Sequence, residues 1–291
     1  MPVQPQVDII SFSPLHRDAR VLRQIKYLAK HFSVTAIGYG SLGLPDTERV
    51  QMLALQPASR GNWRQQARVL GLLKVVKTRR EQYYETWYWS RPDRQQALSY
   101  LLNSQSDIIH ANDWDALPVA AEAAAQTGAR VVLDLHEYAP LQSADKIHWR
   151  ILFKPMIEHF LHRYAPGVVA SITVGQTIAK KYAQEFGLDP LVIMNAPRLN
   201  QAPDFRATDP NHIRLIHHGG AQRSRKLELM IETLALADAR YSLHFMLINA
   251  DKPYIERLFS LAQRRASKRV FFHEAVEPNQ VVYRIAEFDI G

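Results

Sequence analysis

Short apolar runs alternate with helix-length segments along this chain, and that alternation limits the possible fold more than any other feature. Runs at 7–12, 34–38, 107–111, 129–135, 168–174 and 191–194 are mostly Val, Ile, Leu and Ala. Segments 18–31, 116–126, 149–164 and 177–186 fit helices between them. In 18–31 the residues Val21, Leu22, Ile25, Leu28 and Ala29 recur at helical spacing. A strand with one wet face alternates apolar and polar residues, whereas a strand buried on both faces is continuously apolar. The pattern therefore predicts a parallel sheet covered on both sides, the doubly wound α/β class.

The alternation pauses at 196–212, APRLNQAPDFRATDPNH, a stretch rich in Pro, Asp and Asn that has the composition of a linker. It restarts with a strand at 213–217, a helix at 227–237, a strand at 241–248, a helix at 253–265 and a strand at 270–272. Pro278 is well placed to open a helix through 286, and 288–291 begins another strand. Two Rossmann-like domains are expected, 1–205 and 206–291, with the second incomplete because its last strand has no helix after it.

Composition narrows the class further. A 47% hydrophobic content over 291 residues is enough for sizeable cores. There is no cysteine, which excludes a disulfide scaffold and cysteine-ligated zinc and fits a reducing cytoplasm. The start, MPVQPQVDIISF, lacks the charge and the apolar run of a signal peptide, and no 18-residue apolar stretch occurs. The net charge of +8 is concentrated. Between 61 and 94 stand Arg64, Arg68, Lys74, Lys77, Arg79, Arg80, Arg91 and Arg94 against only Glu81, Glu85 and Asp93, a local excess of +5. The same region, 63–94, holds Tyr83, Tyr84, Trp87, Tyr88 and Trp89. Basic helices with interfacial aromatics suit an anionic membrane surface. The composition would also suit RNA, or helices packed on a sheet with a solvated basic face.

Several loops at strand ends carry chemistry. SPLHRDAR (13–20) has no glycine, so the dinucleotide fingerprint is absent and a nicotinamide or flavin enzyme is disfavoured. His16, Arg17 and Asp18 can face a ligand there, or Asp18 can simply cap the next helix. In HANDWDALP (110–118), Asp113 and Asp115 have the Asp-x-Asp spacing with which some sugar transferases hold a divalent metal, although Asp115 also sits at a helix start. LDLHEYAP (133–140) puts His136 and Glu137 just past a strand, where a histidine can bond a sugar hydroxyl or move a proton. His159 and His162 lie three apart on a helix but lack the HExxH pattern and a third ligand. Neither a Walker A sequence nor a GxSxG elbow is found.

The segment 213–232, IRLIHHGGAQRSRKLELMIE, reads as a buried strand, a Gly-Gly turn, a basic loop and a helix. Arg223, Arg225 and Lys226 stand where that helix begins. A helix start with open N–H groups and adjacent cations suits phosphate, and Gly219 and Gly220 would let the loop approach the ligand closely.

These pieces, in this order, resemble the retaining glycosyltransferases of the GT-B fold, the group 1 or family 4 type. DARVLRQIKYLAKHFSVTAIG resembles the family's first helix and second strand. IIHANDWDALPVA resembles its fourth-strand motif, and VVLDLHEYAP the strand bearing a site histidine. ASITVGQTIAKKYAQEFG and VIMNAP resemble the end of the acceptor domain, and IRLIHHGGAQRSRKLELMIE the opening of the donor domain. The resemblance implies transfer of a sugar from a nucleotide-diphosphate sugar to a glycan or lipid-linked acceptor, with retention and without a metal or other cofactor. It implies that His136 lies near the reacting sugar and that Arg225 or Lys226, with Arg223 close by, neutralises the leaving diphosphate. His16, Arg17, Asp18, Asp113 and Glu137 would lie on the acceptor side.

Two departures accompany the resemblance. Ala221 follows Gly220 where the family places an arginine, so Arg223 would substitute for it. The family's paired glutamates, eight apart, would lie beyond Gly291, so the chain is expected to be a fragment or a truncated, catalytically impaired product. A cytoplasmic transferase for cell-surface glycans, with peripheral membrane contact through 63–94 and no nucleic-acid partner, is the leading expectation. A non-catalytic sugar- or nucleotide-binding remnant, an RNA-binding protein and a metal-dependent transferase using Asp113 and Asp115 are the alternatives.

Overall fold

The computed structural model describes residues 5–42, 50–57, 81–196, 206–248, 251–277 and 280–291. The chain divides into two compact units, Met1–Ala196 and Pro197–Gly291. The expected boundary at 205/206, most of the basic stretch before residue 81, and Pro278 lie outside the described residues.

The first unit is a seven-stranded parallel sheet in the order β3-β2-β1-β4-β5-β6-β7. Its strands are β1 (Gln6–Pro14), β2 (Ser33–Tyr39), β3 (Val50–Leu55), β4 (Ile108–Asn112), β5 (Arg130–Leu135), β6 (Val168–Thr173) and β7 (Pro190–Val192). The helices are α1 (Ala19–Leu28), α2 (Gln82–Trp89), α3 (Pro92–Asn103), α4 (Leu117–Thr127), α5 (Lys154–Tyr164) and α6 (Gln176–Phe186). A π-helical turn, Trp149–Phe153, leads directly into α5.

Successive side chains of β1 enter opposite cores, as the pleat requires. Val7 and Ile9 pack with Val21 and Ile25 of α1, while Ile10 joins a larger core with Tyr88, Leu101, Val119 and Phe160 from the other helices. Helices on both faces confirm the doubly wound expectation. Strand β3 and helix α3 are additions to the sequence reading. Strand β3, VQMLAL, is an edge strand with mixed burial and so lacks a continuous apolar run. Helix α3 begins at Pro92, a residue favoured in a first turn, but its apolar face is narrow.

The described part of the basic aromatic stretch packs inward. Tyr84 and Tyr88 are 6% and 1% exposed. Trp87 meets Phe153 edge-on with ring centroids 6.3 Å apart, and Tyr88 lies 5.1 Å from Phe160. Of the aromatics of α2, Tyr84 and Tyr88 are core residues, and Tyr83, Trp87 and Trp89 are partly buried against the same core.

The second unit holds a three-stranded parallel sheet, β10-β9-β8, made of β8 (Ile213–Gly220), β9 (Tyr241–Ile248) and β10 (Val270–His273). Its helices are α7 (Glu228–Leu236), α8 (Lys252–Ala266) and α9 (Val281–Ile285). Ile290 forms a parallel bridge to Leu215, with Ile216 N donating to Ile290 O at 2.8 Å, so the expected strand at 288–291 begins beside β8. Gly219 and Gly220 do not make a turn. They extend β8, paired to Leu247 and Ile248, and the chain turns after them. Among the described residues, no helix is long and apolar enough to cross a membrane.

Candidate functional site

The sheet order of the first unit reverses beside β1, which has β2 on one side and β4 on the other. In open parallel sheets the loops at the carboxyl ends of strands near such a reversal form a crevice. The loops after β1, β4 and β5 carry the residues singled out by sequence.

His136 stands at the centre. Its Nε2 is 3.2 Å from Asn112 Oδ1, and its Nδ1 is 3.5 Å from Asp113 Oδ2. Its backbone N–H donates to Asp113 Oδ1 at 3.2 Å. Asn112 is buried and donates its amide to Ile10 O at 3.4 Å. The imidazole is thus bracketed by an amide oxygen and a carboxylate from the end of the neighbouring strand.

Asp113 adopts φ 65°, a left-handed conformation that a non-glycine residue holds at a cost of about 1–2 kcal/mol. Such strain persists where the surroundings demand it, often at functional sites. The turn aims the carboxylate at His136. Loss of water around it, reinforced by the negative charges of Asp115 and Asp18 and opposed by His136, pushes the Asp113 carboxyl up to about 6. Its side chain is still 43% exposed, so it lies in a recess that solvent reaches.

Beneath His136 lies a buried ion pair that sequence reading missed. Arg20 donates from Nε and Nη2 to the two oxygens of Asp134, at 2.8 Å each. Gln24 donates to the same carboxylate, and Arg20 Nη1 reaches Ile193 O at 3.0 Å. Asp134 Oδ2 is 3.8 Å from His136 Nε2. The signal was present as Arg20 and Gln24 four apart on α1, and as an aspartate inside the apolar run VVLDL. His110, buried on β4, is held down to about 4 mainly by burial.

The other expected residues take varied positions. Asp18 caps α1, accepting from Val21 N at 3.1 Å and from Ser13 Oγ at 2.9 Å. His16 and Arg17 are exposed on the short turn between β1 and α1. The Glu137 side chain is exposed, while its backbone oxygen accepts from Tyr182 Oη at 2.8 Å. That hydroxyl also receives Ala139 N at 2.9 Å, so α6 clamps the loop that carries His136. Asp115 accepts from Arg94 Nη2 at 2.9 Å, so the two carboxylates of the Asp-x-Asp pattern answer to different partners. His159 bonds Glu85 and Glu81, at 3.0 and 3.3 Å. Among the described residues, no group of three or more His, Asp or Glu side chains is arranged to hold a metal ion.

In the second unit, the loop after β8 contains a 3-10 turn, Arg223–Arg225, ahead of α7. Gly219 has φ 120°, a backbone conformation that favours glycine, and a Cβ there would meet Arg225 Nη1 at an ordinary contact distance of 3.5 Å. Arg225 and Lys226 are exposed. Arg223 turns away to Asp251, with Nε to Oδ2 at 2.8 Å, and Asp251 itself caps α8 through Tyr254 N. The start of α7 is less open than expected: Leu227 N donates to Tyr254 Oη, which in turn donates to Glu228. His217 sits beneath the loop, its proton affinity lowered first by burial and then by Arg225.

Residues 19–194 match the model of the glycosyl transferase 4-like domain. No curated protein matches the sequence. Among solved structures, Anabaena HepE in complex with UDP and glucose is 15% identical, with a TM-score of 0.60 over 94% of this chain and 70% of that one. Sucrose-phosphate synthase from Thermosynechococcus elongatus is 12% identical, with a TM-score of 0.63 over 97% of this chain and 73% of that one. The lipopolysaccharide outer core galactosyltransferase WaaB, in its apo form, is 10% identical, with a TM-score of 0.53 over 97% and 70%. At these identities the likeness is one of fold, the α/β architecture of GT-B glycosyltransferases. The family match covers α1 through β7, including Arg20, Asp113, Asp134 and His136, and by it this chain belongs to the glycosyl transferase 4-like family.

Proposed function

We propose that this protein moves a sugar from a nucleotide-diphosphate sugar to a glycan or lipid-linked acceptor with retention of configuration. The observation that carries the reading is His136, fixed between Asn112 and Asp113 at the carboxyl ends of adjacent parallel strands. In the reaction the bond between the anomeric carbon and the phosphate oxygen breaks, and its electron pair leaves with the diphosphate. The acceptor hydroxyl bonds to the same face of that carbon and gives up its proton to the departing phosphate oxygen. His136 positions the sugar, and Asp113 lies beside it to receive acceptor hydroxyls together with His16, Arg17, Asp18 and Glu137. Arg225 and Lys226 compensate the charge that grows on the diphosphate, a kind of stabilisation typically worth several kcal/mol. Arg223 assists only if it exchanges Asp251 for the ligand. No metal takes part. HepE, a fold relative, was solved with UDP-glucose, which supports a nucleotide sugar as donor.

Titration calorimetry with UDP, on the native chain and on Arg225→Ala/Lys226→Ala, tests the donor side. A tenfold or greater weakening is expected, and equal affinity would remove the loop from the site. Transfer of radiolabelled sugar to a lipid extract tests the chemistry. Loss of transfer in His136→Ala with UDP affinity retained is the expected pattern, and undiminished transfer would reject the assignment.

A further inference from the structure

Ordered surface on the first unit gathers apolar and cationic side chains just downstream of His136. Ile147 and Ile151 are 60% and 46% exposed, and Leu141, on the 3-10 turn that follows His136, is 43% exposed. Ile147 and Ile151 lie four apart, one turn along the helical segment that starts α5. Lys146, Arg150 and Lys154 keep the same spacing one residue earlier, so a cationic row runs alongside the isoleucines. Lys146 and Arg150 are exposed, and Lys154 is tethered to Glu158 at 3.5 Å. Asp145 is the only acid from 141 through 154, which leaves the stretch at +2 with histidine neutral.

The platform beneath is rigid. Trp149 donates Nε1–H to Pro140 O at 3.3 Å and stacks on Phe153 at 5.2 Å. Leu152 and Met156 are buried on the opposite side. The exposed isoleucines are therefore held outward by a packed base. A single exposed apolar residue is unremarkable, but a cluster bordered by mostly cationic charge, here Lys146, Arg150 and Lys154 against Asp145 and the Glu158 that pairs with Lys154, marks an interaction surface.

We propose that Leu141, Ile147 and Ile151, flanked by Lys146, Arg150 and Lys154, dock this unit on an anionic phospholipid bilayer. The isoleucines enter the interface and the cations meet lipid phosphates, the arrangement of an interfacial amphipathic segment. Charge complementarity selects this occupant over a neutral protein groove. The docked face continues by chain into the His136 loop, so a bilayer would be met close to the residues assigned to the acceptor.

Vesicle co-sedimentation of the full chain tests the proposal without requiring sugar transfer, so its failure is distinct from failure of the proposed reaction. Vesicles of phosphatidylcholine alone are compared with vesicles of equal parts phosphatidylcholine and phosphatidylglycerol. The chain should sediment with the anionic vesicles and scarcely with the neutral ones. The variant Lys146→Gln/Arg150→Gln/Lys154→Gln should bind anionic vesicles about a hundredfold more weakly, at roughly fivefold per cation. Ile147→Ser/Ile151→Ser, at positions too exposed to threaten folding, should also lose binding, while UDP affinity is unchanged in both variants. No binding, equal binding to both vesicle types, or full binding by either variant would overturn the proposal.

Discussion

Replacing Arg20 with alanine should destabilise the first unit more than any surface change, because it strands a charge in the interior. The Arg20 and Asp134 side chains are 8% and 1% exposed. The guanidinium supplies two of the hydrogen bonds that keep the Asp134 carboxylate tolerable away from water, and Gln24 supplies another. Breaking one partner of a buried pair typically costs about 3–5 kcal/mol. Gln24 remains, so the lower end applies, about 3 kcal/mol. Arg20 also holds Ile193 O, so the end of β7 should loosen with it. For a unit of this size each kcal/mol corresponds to roughly 2–4 °C, giving a fall in Tm of about 6–12 °C. The assay is convenient, because all five tryptophans lie before residue 150. Tryptophan fluorescence in urea therefore follows the first unit without interference from the second. A second variant isolates the cause. Arg20→Met/Asp134→Leu removes both charges and fills the space, and it should recover to within about 1 kcal/mol of the native chain. A loss below about 1 kcal/mol in Arg20→Ala, or a double variant no more stable than the single one, would refute the reasoning.

Three further outcomes are expected. Asp113→Gly should relieve left-handed strain and stabilise the first unit by about 1 kcal/mol at neutral pH, while transfer activity falls. A carboxyl raised to about 6 from 3.8 keeps its proton longer in the folded state, so native stability should decline as pH rises between those values, and urea midpoints of the glycine variant should lack that slope. Tyr182→Phe strands Ala139 N and Glu137 O, a loss of about 1–3 kcal/mol, and should lower kcat without changing UDP affinity; an unchanged kcat would show that the clamp is only structural. His244, stacked 5.1 Å from His273 and 4.8 Å from Phe271, is lowered to about 4 from 6.5, chiefly by burial and then by His273. The unfolded state protonates first on acidification, so this contribution is complete above pH 6.5 and is lost as pH falls toward 4. The His244 ring resonance should titrate with a midpoint near 4, and an ordinary midpoint would contradict the packing.

Local pattern carried most of the fold and part of the site. The mostly apolar runs of β1, β2, β4 and β5 were visible because both faces of each strand are covered, whereas β6 was legible from its composition although Val169 and Ala170 are exposed. Strand β3 was not, because an edge strand with exposed positions loses that signature. Loop positions after strands pointed to His136 and Asp113, since a parallel sheet places its ligand-facing loops there. Their support came from residues far apart in sequence. Arg20 meets Asp134 across 114 positions, and Tyr182 reaches Glu137 across 45, so neither could be inferred from spacing alone. The basic loop illustrates the reverse limit. Charge counted three cations near α7, but only geometry assigned Arg223 to Asp251.

The strand order also dictates how the chain must be made. Val7 of β1 pairs with Ile108 of β4, while its other edge is satisfied much earlier by Val34 of β2. At a synthesis rate of roughly 5–20 residues per second, β1 waits about 5–20 s after β4's place in the sheet could first be needed before that strand emerges. Throughout this interval a strand that carries Val7, Ile9, Ile10 and Phe12 presents an open edge, the template on which unwanted pairing occurs. Recombinant yield should therefore depend more on translation speed and holding chaperones than on the stability of the finished unit.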